Sequence, residues 1–133
     1  MRVSIDIETA LYDLLTAASY SASAHAIPAT LGRTLPHVHV VRTGGFTQDR
    51  VVDFNSVDFD VYAETQADAM TAATTLAGWA RDLEGESVGG SPCYGSEVST
   101  LPYRNPDPRH PNIGRATFKA QITIRTQEVN LNA

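Results

Sequence analysis

The sequence is poor in lysine and cysteine, with one of each: Lys119 and Cys93. A single cysteine excludes an internal disulfide and any cysteine-based zinc site. Cys93 sits in "GGSPCYGS", which reads as a loop holding a plain small residue; a catalytic thiol would need a lowered pKa and a base beside it. The basic residues form no run, and 15 acids against 10 bases leave a formal net charge of −5. Such a chain has no basic field for non-specific nucleic-acid binding. No apolar run approaches the ~20 residues of a membrane span, so no membrane partner is expected. The first residues lack a basic segment followed by an apolar stretch, which predicts no cleaved signal peptide. What remains is 42% hydrophobic and 19% charged over 133 residues. That is the mix and length of a single globular domain, 1–133, with one core.

Periodicity divides the chain into elements. In "IDIETALYDLLTAASY", Ile7, Leu11, Leu14 and Leu15 lie on one helical face, with Asp6 as N-cap and Glu8 in the first turn. The helix is expected to fade in "SYSASAHAIPATLG". "LPHVHVVRTGG" alternates as a strand, and Gly44-Gly45 read as the tip of a hairpin. On the return, Val57, Phe59, Val61 and Ala63 share one face. Val52 and Phe54 fall on the opposite parity, which implies either a bulge at Asn55-Ser56 or contact with a second surface. Thr65 with Asp68 resembles a capping box, followed by an apolar stripe of Ala69, Ala73, Leu76, Ala80 and Leu83 that Gly85 ends. A short edge strand is expected around 97–101, stopped by Pro102. "RATFKAQITIR" alternates throughout, with Ala116, Phe118, Ala120, Ile122 and Ile124 facing in. The tail "TQEVNLNA" reads as loose. The expected fold is α+β: two helices on one face of a mostly antiparallel sheet of about four strands, in the order helix-strand-strand-helix-strand-strand, with a long hairpin.

Few residues point to chemistry. His37 and His39, at i and i+2 on a strand, share a face and suit metal ligation, with Asp58 or Asp60 as a third ligand. The competing reading places two polar residues on the exposed face of a strand. Asp58 and Asp60 also resemble a carboxylate pair for acid–base work, or solvated acids pairing with Arg42 or Arg125. His110 reads as a surface-loop residue. "RTGG" and "VGGS" have neither P-loop nor dinucleotide spacing, and no serine sits in a nucleophile elbow. Met70 and Trp79 read as core or interface.

Taken together, "LPHVHVVRTGG", "FTQDRVVDF", "VDFDVYAETQADAMTAATTLAGWARDL" and "LPYRNPDPRHPNIGRATFKAQITIRTQ" resemble the tail terminator proteins of long, non-contractile-tailed bacteriophages. The landmarks are an R-x-G-G hairpin, a V-D-x-D-V-[WY]-A strand, an Ala-rich helix and a P-D-P-R loop. The resemblance implies a structural virion protein, not an enzyme, with no cofactor. It would be assembled in the host cytoplasm and reside at the head–tail junction. Copies of the chain would form a ring, a hexamer in that family, that caps the tail tube, ends polymerisation of the major tail tube protein and offers the surface that joins the head–tail connector protein. Genomic DNA would pass through without specific binding. By position, the residues implied for these contacts are Thr43, Gly44, Gly45, Phe46, Thr47, Gln48 and Asp49 in one projecting loop, and Pro106, Asp107, Pro108 and Arg109 in another. The alternatives are a neighbouring connector, stopper or tail tube subunit, a small metal-dependent enzyme built on His37 and His39, or a generic ligand-binding module.

Overall fold

Asp6 caps the first helix as its position predicts: its carboxylate accepts from the Thr9 amide at 3.2 Å, and α1 (Ile7–Ala17) buries Ile7, Ala10, Leu11 and Leu15. Thr65 does the same for α2 (Gln66–Arg81), its hydroxyl accepting from the Asp68 amide at 3.1 Å. The computed structural model describes residues 1–131; the last two positions of the tail read as loose lie outside the described residues. The strands are β1 (Arg2–Val3), β2 (Ser21–Ala24), β3 (His37–Gln48), β4 (Val52–Ala63), β5 (Ser87–Val88), β6 (Ser91–Arg104), β7 (Gly114–Arg125) and β8 (Gln127–Glu128), with a short 3-10 turn at Leu31–Arg33.

The sheet is larger than the four strands expected. Six strands run in the order β2-β3-β4-β7-β6-β5 and curl around the helices, and β1 pairs with β8 in a separate two-stranded sheet. This overturns the expected fold of about four strands in the order helix-strand-strand-helix-strand-strand: the chain is a strand-rich, mixed α+β structure with two helices, a six-stranded sheet and a separate two-stranded one. Three physical causes account for the difference. "SASA" at 21–24 carries no branched or aromatic side chain, yet it pairs parallel to β3 from Ser21↔His37 to Ala24↔Val40. Pro92 and Pro102 lie within β6 without stopping it. The β6–β7 register slips between Cys93 and Gly95, Val98 and Thr100, and Thr100 and Tyr103, and a bulged strand tolerates a residue that donates no hydrogen bond. Finally, Gln127 and Glu128 pair with Val3 and Arg2, so the start of the expected loose tail is a strand.

The core lies where the alternation places it. Val38, Val40, Val57, Phe59, Val61, Ala116, Phe118, Ala120, Ile122 and Ile124 are buried against both helices, and the Phe59 and Phe118 rings stack at 4.6 Å. α2 lies over β4, β6 and β7, and α1 over β2 and β3. Alanines along α2 allow the close approach, and at Gly114 any side chain would collide with the helix start. A Cβ there would stand 2.5 Å from Thr65 and Gln66 backbone atoms. α2 ends at Arg81, a turn earlier than Gly85 would set it, and Leu83 is buried in the turn that follows.

Candidate interaction surfaces

The β3–β4 hairpin supplies the first surface. Its apolar inner face ends at Val57. Beyond that row the same face carries Asn55 and Asp53, both buried and held by side-chain hydrogen bonds in place of a core. Arg42 Nε donates to Asn55 Oδ1 at 3.0 Å, Asn55 Nδ2 donates to the Ile122 carbonyl at 3.2 Å, and Thr47 donates to the Asp53 carboxylate. This explains the parity change at Val52 and Phe54. β4 runs through 52–63 against β7 without a register shift, so no bulge forms at Asn55-Ser56; Val52 and Phe54 meet the opposite surface. The bulge lies on β3, between Arg42 and Gly44.

The glycine pair is not the tip. The turn spans Gln48–Val51, closed by the Val51 amide on the Gln48 carbonyl at 3.1 Å, with positive φ at Asp49 (53°) and Arg50 (62°) as primed hairpin turns require. Gly45, at φ 142°, serves close approach instead: a Cβ would sit 2.1 Å from the Phe54 carbonyl oxygen. Thr43 through Asp49 are all exposed. Phe46, 62% exposed, stacks on Phe54 with ring centroids 4.9 Å apart.

The Pro-rich segment is a different kind of structure. Pro106, Pro108 and Arg109 are exposed, but Asp107 is buried and pins the loop to the sheet. Its carboxylate accepts from the Tyr62 hydroxyl at 2.9 Å and the Arg109 amide at 3.0 Å, and meets His110 Nδ1 at 3.1 Å and Arg115 Nη1 at 3.6 Å. Burial alone would raise the Asp107 pKa; the hydrogen bonds and the Arg115 charge outweigh it and hold the acid down at about 2. Burial pushes the Tyr62 phenol up to about 12, so it stays a donor. Of the two segments expected to project, the hairpin does so throughout; the proline loop shows its prolines and Arg109 outward around an anchored acid.

His37 and His39 are not on an exposed face. Both are buried, because β2 covers them with two serines. Ser21 Oγ lies 2.7 Å from His37 Nδ1, while Ser23 Oγ bridges His37 Nε2 at 2.8 Å and His39 Nδ1 at 2.7 Å. Desolvation, reinforced by the neighbouring His39, depresses the His37 pKa to about 4; desolvation lowers that of His39 too. Three of the four ring nitrogens are thus engaged by hydroxyls. No group of three or more His, Cys, Asp or Glu among the described residues is arranged to hold a metal. Asp58 and Asp60 face β7: Asp58 pairs with Lys119 at 3.2 Å and Asp60 accepts from Thr117 at 2.8 Å, so neither meets the expected Arg42 or Arg125. Cys93 lies buried in β6, not in a loop, and burial raises its thiol pKa. A recess of about 150 Å³ beside His37, lined in part by Tyr20, Pro36 and Leu76, is small against the ~300 Å³ and upward of typical ligand pockets.

Sequence reasoning missed the exposed large side chains of β6. Tyr94 (49%), Leu101 (66%) and Tyr103 (37%) stand open, and the Tyr94 hydroxyl accepts from Arg125 at 3.2 Å. The signal was present as aromatic and aliphatic residues among the polar ones of "CYGSEVSTLPYR", hidden because only 97–101 reads as strand and the rest as loop.

Among protein-family models none matches the chain, and no curated protein matches it either. No helix among the described residues is long and apolar enough to cross a membrane.

Proposed function

We propose that this chain is a tail terminator subunit: a structural virion protein whose copies close into a ring, a hexamer by the family resemblance, at the head-proximal end of a phage tail tube. The single observation that supports it most is the β3–β4 hairpin. It carries nine consecutive exposed residues, 42–50, with Thr43–Asp49 among them, on a frame braced by buried hydrogen bonds and joined along the whole of β4 to β7. Such a frame holds a contact surface in place without a binding pocket. The hairpin would meet the major tail tube protein or a neighbouring subunit, and the exposed Pro106, Pro108 and Arg109 around anchored Asp107 would form a second contact, with the head–tail connector as partner. The role needs no reaction and no cofactor. The acidic balance suits a passage through which DNA must slide without being held.

Negative-stain microscopy of particles made with and without the protein tests this reading. Tails of uncontrolled length that fail to join heads are expected when it is missing. Tails of normal length that fail only to join heads would move the protein to the connector, and normal infectious particles would refute both roles.

A further inference from the structure

The six-stranded sheet has two edges, and both are covered only in part. β2 pairs with β3 at His37–Val40 alone, which leaves the outer edge of Arg42–Gln48 without a strand partner. At the other side β5 pairs with β6 only at Ser91 and Pro92, and the segment before it bonds to Cys93; from Tyr94 onward β6 has no strand on its outer side. Proteins usually protect such edges with lysines, prolines or inward-pointing charges. Here the only lysine sits on the inner strand β7 and the one proline in the free part of β6, Pro102, lies beyond Val98, while the edges carry exposed apolar groups: Phe46 on β3, and Tyr94, Leu101 and Tyr103 on β6.

Three features of the sheet fit these edges to each other. Between them run four strands, β3, β4, β7 and β6, each antiparallel to the next. Four is even, so when one copy is set beside another in the same orientation, β6 of the first meets β3 of the second antiparallel. The rows also match. The row of Phe46 continues through Phe54 and Thr123 to Gly95, next to the bulged Tyr94, and that of Arg42 runs through Val57 and Ala120 to Val98. The free segments 42–46 and 94–98 therefore lie at one level of the sheet, whereas Tyr103 and Arg104 lie level with His39 and Val38, which β2 covers. The two edges can pair over 42–46 and 94–98 only, with β6 turning aside at its register shifts beyond Val98. Finally, Phe54 and Arg125, to which the two edge aromatics are tied, occupy the same face, being cross-strand neighbours of Thr123 and Val52.

We infer that copies of this chain join edge to edge, with β3 of one continuing the sheet of the next through its β6, and with Phe46 meeting Tyr94 across the junction. The contact is head-to-tail and uses two different surfaces, so repeated copies close into a ring when the rotation per subunit divides a full turn. Backbone hydrogen bonds supply the attraction, and the aromatic pair, extending the Phe46–Phe54 stack, sets the register. This inference rests on the ring reading for its biological setting but not for its geometry.

Two exposed substitutions separate the surfaces. Phe46→Lys blocks the β3 edge and leaves β6 intact; Tyr94→Lys does the reverse. Sedimentation velocity and native mass spectrometry on the full chain are expected to show closed oligomers for the wild type. Each variant alone should stay monomeric, its half-assembly concentration raised at least about tenfold. An equimolar mixture of the two should give 1:1 dimers that grow no further, since each dimer joins the intact β6 of Phe46→Lys to the intact β3 of Tyr94→Lys. Unchanged thermal melts show that the variants fold, and Phe46→Glu with Tyr94→Glu provides a second pair should a lysine variant misfold. Wild-type assembly by both variants would overturn the edge junction and leave a ring built through other surfaces standing. Assembly lost in Phe46→Lys but kept in Tyr94→Lys would overturn it in favour of β3 pairing with itself. A wild-type chain monomeric at every concentration up to its solubility limit would overturn it as well, and the tail-length experiment then judges the ring reading independently.

Discussion

Replacing Asp107 by asparagine keeps its shape but removes the charge that Arg109, Tyr62, His110 and Arg115 converge on. Loss of a charge-assisted network of this kind is expected to cost about 1–3 kcal/mol at neutral pH, read as a lower denaturant midpoint. The pH dependence has a definite sign. The Asp107 pKa falls from an ordinary 3.8 to about 2 on folding, so its stabilisation is complete above 3.8 and is lost as pH drops from 3.8 towards 2. His37 acts in a separate window. Its pKa falls from 6.5 to about 4, so the unfolded chain takes up a proton that the folded chain refuses, and stability declines as pH drops from 6.5 to 4. Midpoints measured across pH should therefore show two acid limbs: Asp107→Asn makes the lower one shallower, and His37→Asn makes the upper one shallower, with His39, also lowered by burial, retaining part of it. None of this was legible in the sequence, because Asp107 is 45 residues from Tyr62, and His37 is 16 from Ser21.

The β3–β4 hairpin shows how adjacent glycines differ. At Gly44 an added Cβ has nothing within 4 Å, whereas at Gly45 it would overlap the Phe54 carbonyl at 2.1 Å in a backbone conformation of φ 142°. Gly44→Ala is expected to leave stability within about 0.5 kcal/mol, and Gly45→Ala to cost at least about 1–3 kcal/mol. Chemical denaturation of the two variants side by side checks both values. Helices and inner strands were legible because their causes are local: Asp6 and Thr65 cap, and Val57 to Ala63 and Ala116 to Ile124 alternate. The turn was not, since Asp49-Arg50 takes positive φ where Gly44-Gly45 advertises it more loudly. β2 escaped for a related reason. Its strand character comes from the serines that meet His37 and His39, not from branched side chains. Of the surface proposed for assembly, the exposed hairpin segment is legible in the sequence, whereas the β6 edge is masked by its prolines.

Among the described residues, β4 and β7 are the only long strands paired on both sides for most of their length and backed by α2. Their amides should exchange with solvent most slowly, together with those of α2, while 42–50 and 94–104 exchange fastest among the strands; mass-resolved hydrogen exchange on the free chain reads this directly. If the chain assembles through the sheet edges, protection should rise at 42–46 and 94–98 and stay unchanged at Asp107, Arg109 and His110 in the proline loop.

The twelve unbroken partner pairs between β4 and β7 contrast with the register shifts that interrupt β3 and β6 on either side. Mechanically, the centre of the sheet is a stiff rail and the slips are compliant seams. A bending load is taken up where the ladder is already broken, so the outer strands can swing while the middle keeps its shape. In the ring proposed above, a subunit made this way would trim its own curvature to close a circle, and its packed interior would feel little of the adjustment.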